Sequence, residues 1–348
     1  MSGPEAPWPD VAARSMGGRV LATNDELFAA ADNLINDGPA RHDTGLFSAR
    51  GKVYDGWETR RRREADRGPA AADWAVVRLG VPVVVHAVVV DTAHFRGNSP
   101  THASLEGATV LGHPTTDEVL SAPWTPLLAR TELIPDATNV VAVPGPDRLV
   151  THVRLRIHPD GGVARLRVHG EVVADPRLLG GRIDLAAATL GGRITGCSNM
   201  FYSTPSHVIA PGRSVVMSDG WETARRRDDD NDWLTLRLAV PGVVHDVVVD
   251  TSRFVGNAPA AVQLTDPATG TMLLARTRLE PDTEHRFRVA DVGPVSDLRL
   301  DVFPDGGLSR LRVNGAVADQ ARAGLTARWL GLLPPSVADD IDPDTFFD

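Results

Sequence analysis

Nine residues, DGWETRRRR at 55–63, return as DGWETARRR at 219–227. Two further blocks return in the same order. DTAHFRGN at 91–98 is echoed by DTSRFVGN at 250–257, and HPDGGVARLRVHG at 158–170 by FPDGGLSRLRVNG at 303–315. Matched blocks in one order mean a duplicated and fused unit, and such a repeat fixes the architecture before any secondary structure is assigned. Weaker pairs extend it: GGRV at 17–20 with GGRI at 191–194, and RLGVPVVVHAVVVDT at 78–92 with RLAVPGVVHDVVVDT at 237–251. The first copy is therefore expected over 17–170 and the second over 191–315. The piece 171–190, with Pro176 and Gly180–Gly181, reads as a connector, and 316–348 as a C-terminal helix and acidic tail. A chain of 348 residues suits two domains, each large enough for its own core. The second copy is shorter mostly because 99–151 is longer than its counterpart 258–295.

Within each copy the pattern is strand-like. WAVVRL, HAVVVDT, RLRIH and ARLRVHG are short, valine-rich and separated by Gly and Pro clusters, and WLTLRL, HDVVVDT, DLRLDVF and SRLRVNG repeat them. Two helices are expected, at 25–35 (DELFAAADNLI) and 319–333 (DQARAGLTARWLGLL). The fold class that follows is all-β, with a β-sandwich or jelly roll for each copy.

Several function classes drop out. A net charge of −9 argues against a nucleic-acid or polyanion binder, although arginines cluster locally. The single cysteine, Cys197, excludes an internal disulfide framework and fits a reducing cytoplasm. MSGPEAPWPD lacks the basic-then-apolar order of a secretory signal, and the longest apolar run, VPVVVHAVVV at 81–90, is too short for a membrane span. No GxSxG, HExxH, cysteine pair or phosphate loop occurs, and the histidines are not spaced as metal ligands. No cofactor or metal is expected. The acidic run DDDND at 228–232 reads as a solvated turn or, alternatively, a divalent-ion site.

The matched loops carry the candidate site. Asp55–Gly56 and Asp219–Gly220 are turn signals, and the Trp after each wants burial with its N–H bonded. Glu58 and Glu222 follow, beside Arg61, Arg62 and Arg63 in one copy and Arg225, Arg226 and Arg227 in the other. Arg60 faces Ala224 and carries less weight. Such a run is either a solvated, ion-paired loop or a set of guanidiniums able to grip a carboxylate bidentately. Asp91 and Asp250 end strands as turn caps, and Asn98 and Asn257 are turn formers or amide-recognising groups. His94 stands opposite Arg253, an asymmetry between the copies. Pro159–Gly162 and Pro304–Gly307 read as structural turns. Arg165 and Arg167, with Arg310 and Arg312, add charge to a strand face, and Asn24 and Asn199 read as matched polar residues.

Together DGWETRRRRE, DTAHFRGN, GCSNMFY, DGWETARRR and DTSRFVGN resemble allantoicase (allantoate amidinohydrolase) over about 17–315. The resemblance implies two tandem jelly-roll domains of the galactose-binding-like kind. It also implies hydrolysis of allantoate to ureidoglycolate and urea in purine (allantoin) degradation. One departure is Arg253, where the family's second loop often carries His, as DTxHFxGN; His94 remains the candidate.

That substrate has one CH carbon bearing a carboxylate and two ureido groups. Its carboxylate asks for arginine, and cleaving the C–N bond asks for an acid and a base. Arg61–Arg63 or Arg225–Arg227 are the expected clamp, Glu58 or Glu222 and His94 the acid and base, and Asn98 and Asn257 the ureido-orienting amides. Asp55 and Asp219 are expected at the same sites. The rival is a non-catalytic tandem binding module, which would show a shallow surface with exposed rings rather than charged groups converging on a pocket. The partner expected is a small-molecule substrate, not nucleic acid or membrane. A homo-oligomer stays open, with Trp329 and Phe346–Phe347 able to pack on a neighbour.

Overall fold

A computed structural model describes residues 8–43, 45–49, 51–63, 68 and 71–348. Residues 1–7, the start of the segment read for a signal, and Glu64, quoted with the first arginine run, lie outside them. The chain divides into two units, one running up to Val173 and including Leu332–Pro335, the other comprising Ala174–Gly331 and Ser336–Asp348.

The N-terminal unit is organised by one long strand, Asp73–Asp91. Its first half pairs antiparallel with Arg19–Thr23 on one side and Val150–His158 on the other. The register then shifts between Arg78 and Val83, and the second half pairs with Arg165–Val172 and Thr138–Ala142. One strand thus serves both layers of a sandwich. The shift falls at Gly80–Pro82, where a proline without an N–H cannot continue a ladder. His102–Ala108 lies between Val150–His158 and Thr125–Glu132. Between the layers lies an aliphatic core that includes Val77, Val88, Val90, Leu105, Leu155, Ile157 and Leu166, with Trp57 fully buried.

The C-terminal unit repeats the plan. Asp232–Asp250 pairs first with Arg193–Cys197 and Pro294–Phe303, then with Arg310–Val317 and Glu284–Arg288. Ala261–Thr265 lies between Pro294–Phe303 and Met272–Arg278. The fold is all-β, two tandem jelly rolls. Matched contacts reach further towards the N-terminus than the matched letters. Asp10 accepts from the amides of Ala12 and Val168, as Asp184 does from Ala186 and Val313.

The expected helix over 25–35 shrinks to a single 3-10 turn, Ala31–Ile35. Upstream of it, Ala29 forms a β-bridge with Glu58 and the Glu26 carboxylate accepts from the Ala31 amide, so tertiary bonding overrides a helix-favouring composition. The helix Asp319–Leu332 forms as expected. A helix not foreseen, Thr116–Ser121, starts with a capping box between Thr115 and Glu118. Trp329 and Phe346 are buried within the chain, so they do not offer themselves to a neighbour. Among the described residues no helix is long and apolar enough to cross a membrane.

Candidate active site

The recurring blocks meet in space because a phenylalanine ring is clamped between two glycine turns. A Cβ on Gly162 would lie 2.0 Å from Phe95 Cδ1, and one on Gly56 would lie 2.8 Å from Phe95 Cε2. Only glycine permits that approach. The Gly162 amide also donates to the Asn98 carbonyl. The turn after Asp55, the loop 91–98 and the turn 159–162 are therefore one packed assembly. Trp57 anchors it from below, its indole N–H donating to the Asp25 carbonyl at 2.7 Å.

This packing brings Asn98 onto Glu58: the Asn98 amide donates to Glu58 Oε1 at 2.7 Å. Burial lifts the Glu58 carboxyl above its ordinary range, outweighing the opposite pull of that amide. Glu58 is thus biased towards keeping its proton. His94 sits at φ 71°. It is held there by its own amide donating to Asp136 Oδ1 at 2.7 Å, while Arg96 Nε donates to the other oxygen of Asp136 at 2.8 Å. His94 Nε2 faces the Ala40 carbonyl at 3.3 Å, which makes Nε2 the protonated nitrogen and leaves the Nδ1 lone pair free in the neutral ring.

Beside Asn98 lies a cavity of about 420 Å³, lined by His42, Lys52, Tyr54, His94, Arg96, Gly97 and Asn98. That volume is ordinary for a small-molecule site. His42 stacks on His94, ring centres 5.0 Å apart, and Tyr54 stacks on Phe95 at 4.8 Å. Lys52 Nζ lies 3.1 Å from His42 Nε2. The His42 imidazole is pushed below its ordinary value by desolvation and by the positive charges of Lys52, His94 and Arg96. A neutral His42 is the form that can accept from Lys52.

The expected site residues fall into two groups. Asn98 and His94 line this cavity, and Glu58 stands behind Asn98, bonded to its amide. The arginines of the two repeated runs do not line it. Arg62 is committed to the buried Asp73 at 2.6 Å, with its backbone amide on Asp160, and Arg226 to Asp232 and Asp228, with its amide on Asp305. Arg61, Arg63, Arg225 and Arg227 are exposed, and none of them lines that cavity. Asp55 is a structural anchor, because Arg165 and the Arg41 amide bind it; against the raising effect of burial they hold its carboxyl low. Asp219 accepts from the Val215 and Val216 amides. In the C-terminal unit the Asn257 amide donates to Glu222 Oε1 at 2.6 Å, repeating the Glu58 pair. The matching of Asn24 with Asn199 is corrected. Asn24 binds Asp73 as Ser198 binds Asp232, and it is Asp25 and Asn199 whose carbonyls each receive a Trp indole.

His42, Lys52, Tyr54 and Arg96 were not foreseen as site residues. The available signal was spacing. Gly38 and Gly212 are equivalent, with φ of 71° and 70°, and their carbonyls receive Arg165 and Arg310. From there to the Asp-Gly turn the first copy has residues 39–54 and the second only 213–218.

Comparison with known proteins finds relatives over most of the chain. The model of the allantoicase repeat matches residues 9–173 and 183–318. A probable allantoicase of Nocardia farcinica is 50% identical over 313 residues, covering 88% of this chain and 94% of its own. One of Streptomyces avermitilis is 47% identical over 339 residues, covering 94% and 90%. The crystal structure of allantoicase from Saccharomyces cerevisiae superimposes with a TM-score of 0.77 at 31% identity, covering 89% of this chain and 94% of that one. The chain belongs to the allantoicase family.

Proposed function

We propose that this protein hydrolyses allantoate to ureidoglycolate and urea, a step in the degradation of allantoin and hence of purines. Family membership supports the reaction, and the single structural observation that carries it to a site is the Glu58–Asn98 pair beside a cavity lined by charged groups. Such convergence suits an enzyme better than a shallow, ring-lined binding surface.

The chemistry follows from the groups present. Glu58, whose carboxyl burial biases towards its protonated form, gives its proton to the ureido nitrogen that leaves as urea. His94 Nδ1 takes a proton from the attacking water, whose oxygen bonds to the central carbon as the C–N bond breaks. One proton leaves the water and one joins urea, so the balance closes once Glu58 and His94 exchange a proton through solvent. Asn98 fixes the Glu58 carboxyl and offers its amide oxygen to a ureido N–H. The C-terminal pair Glu222–Asn257 keeps the local geometry without the surrounding cavity groups. A coupled assay for urea release from allantoate tests the reading. Turnover is expected from the full chain, and no urea release at any substrate concentration would refute it.

A further inference from the structure

We propose that Lys52 holds the substrate's carboxylate, and that the segment carrying it restricts carboxylate binding to the N-terminal unit. This rests on the hydrolytic reading above and names the part of the site that reading leaves open. A carboxylate in a cavity needs a cation whose charge is not already taken. Arg62 and Arg165 are bound to aspartates, and so is Arg226 in the other unit. Inside the cavity, Arg96 already points Nε at Asp136. Lys52 differs. None of the ion pairs among the described residues involves it; its neighbours are the His42 ring nitrogen and the face of Tyr54, whose centre is 5.5 Å from Nζ. An ammonium has three donors, and one is directed at His42. The other two remain for a ligand, on the same wall as His94 and Asn98.

The geometry also explains why the segment must be long. Gly38 is pinned by Arg165 and Arg167, and Asp55 by Arg165, so both ends of 39–54 are tied to one buried arginine. The chain between them rises to the two-rung hairpin Phe47–Ser48 with Gly51–Lys52, which delivers the lysine. In the C-terminal unit the same two ends, Gly212 and Asp219, are tied to Arg310 through their carbonyls, yet six residues join them. Nothing there corresponds to His42, Lys52 or Tyr54, and Val255 stands for Arg96. The cations that copy offers are Arg253 in place of His94 and Arg213 at the start of the short loop, both exposed.

The experiment compares allantoate with its neutral methyl ester, reading urea release by the full chain. For Lys52→Met, KM for allantoate is expected to rise roughly 10- to 100-fold, the range for losing one charge-assisted contact, with KM for the ester unchanged within about twofold. Lys52→Arg should recover most of the preference for the acid, and Arg253→Ala should leave it intact. If Lys52→Met keeps the wild-type preference, or Arg253→Ala abolishes it, the assignment is overturned while the hydrolytic reading stands. If the wild-type chain releases urea from neither compound, the hydrolytic reading falls. Calorimetric titration of allantoate into wild type and Lys52→Met then decides the assignment by itself: weaker binding to the variant supports it, and equal binding overturns it.

Discussion

In the N-terminal unit Asn98 donates to Glu58, Trp57 to the Asp25 carbonyl, and the Arg62 amide to Asp160. In the C-terminal unit Asn257 donates to Glu222, Trp221 to the Asn199 carbonyl, and the Arg226 amide to Asp305. Paired distances agree within 0.1 Å. Around these shared bonds the surroundings part company. Where the first copy raises His42, Lys52 and Tyr54 around a cavity shared with Asn98, the shorter loop of the second exposes Val215, Val216 and Met217. The lesson is that the repeated letters mark the frame of each unit, and what is peculiar to one copy marks its chemistry.

The sharpest way to break that contrast is to neutralise the two glutamates separately. Glu58→Gln is expected to lower kcat by roughly 10²–10⁴-fold, the usual worth of a general acid. Glu222→Gln should retain at least half of the activity, since its copy lacks the cavity groups. Steady-state urea release checks both, and comparable losses would mean that the copies share the work.

A second contrast lies on equivalent strand positions. Arg237 faces Asp297 across the sheet and pairs with it at 3.0 Å, whereas Arg78 faces His152. Desolvation, helped by the Arg78 charge, depresses the His152 pKa to about 4, and Nε2 is buried with no hydrogen-bond partner. Between pH 6.5 and 4 the unfolded chain therefore binds a proton that the folded chain refuses, and stability falls as pH is lowered through that window. The expected loss approaches about 3 kcal/mol at pH 4. Denaturant unfolding at pH 7 and pH 4 measures it. His152→Asp, which copies the C-terminal arrangement, should remove most of the slope.

The smallest effect sharpens the comparison from the other side. Gly162→Ala and Gly307→Ala each place a methyl about 2 Å from a Phe ring atom, Phe95 in one unit and Phe254 in the other. Each should cost about 1–3 kcal/mol by overpacking, and by similar amounts, because the frame is shared. Urea-unfolding midpoints test this; a large inequality would show that the turns are not equivalent.

Much of this was legible in the sequence for a physical reason. Gly56, Phe95, Asn98 and Gly162 recur because each is fixed by a close approach or a specific bond, and duplication displays such constraints twice. The same rule hid the cavity. His42, Lys52 and Tyr54 lie in a stretch with no counterpart, so a reading guided by matched residues passed over them. It also favoured the arginine run, whose best-matched member, Arg62, recurs because it neutralises a buried aspartate rather than because it meets a ligand. Over 25–35 the alanines suggested a helix, but the bond partners of Ala29 and Ala31 are remote or upstream side-chain and strand groups that a local pattern does not reveal.

The two ends of segment 39–54 are tied to the same buried arginine, and this has a consequence for how readily such a site is gained or lost. Extending a closed loop from six residues to sixteen costs only about 0.9 kcal/mol of closure entropy, because that cost grows with the logarithm of length. The C-terminal unit already has the equivalent anchors, Gly212, Asp219 and Arg310, and a waiting Glu222–Asn257 pair. A transplant of 39–54 between Gly212 and Asp219 is therefore nearly free in stability terms. Ligand chemistry on this scaffold can come and go by insertion and deletion, while the sandwich beneath it is inherited unchanged.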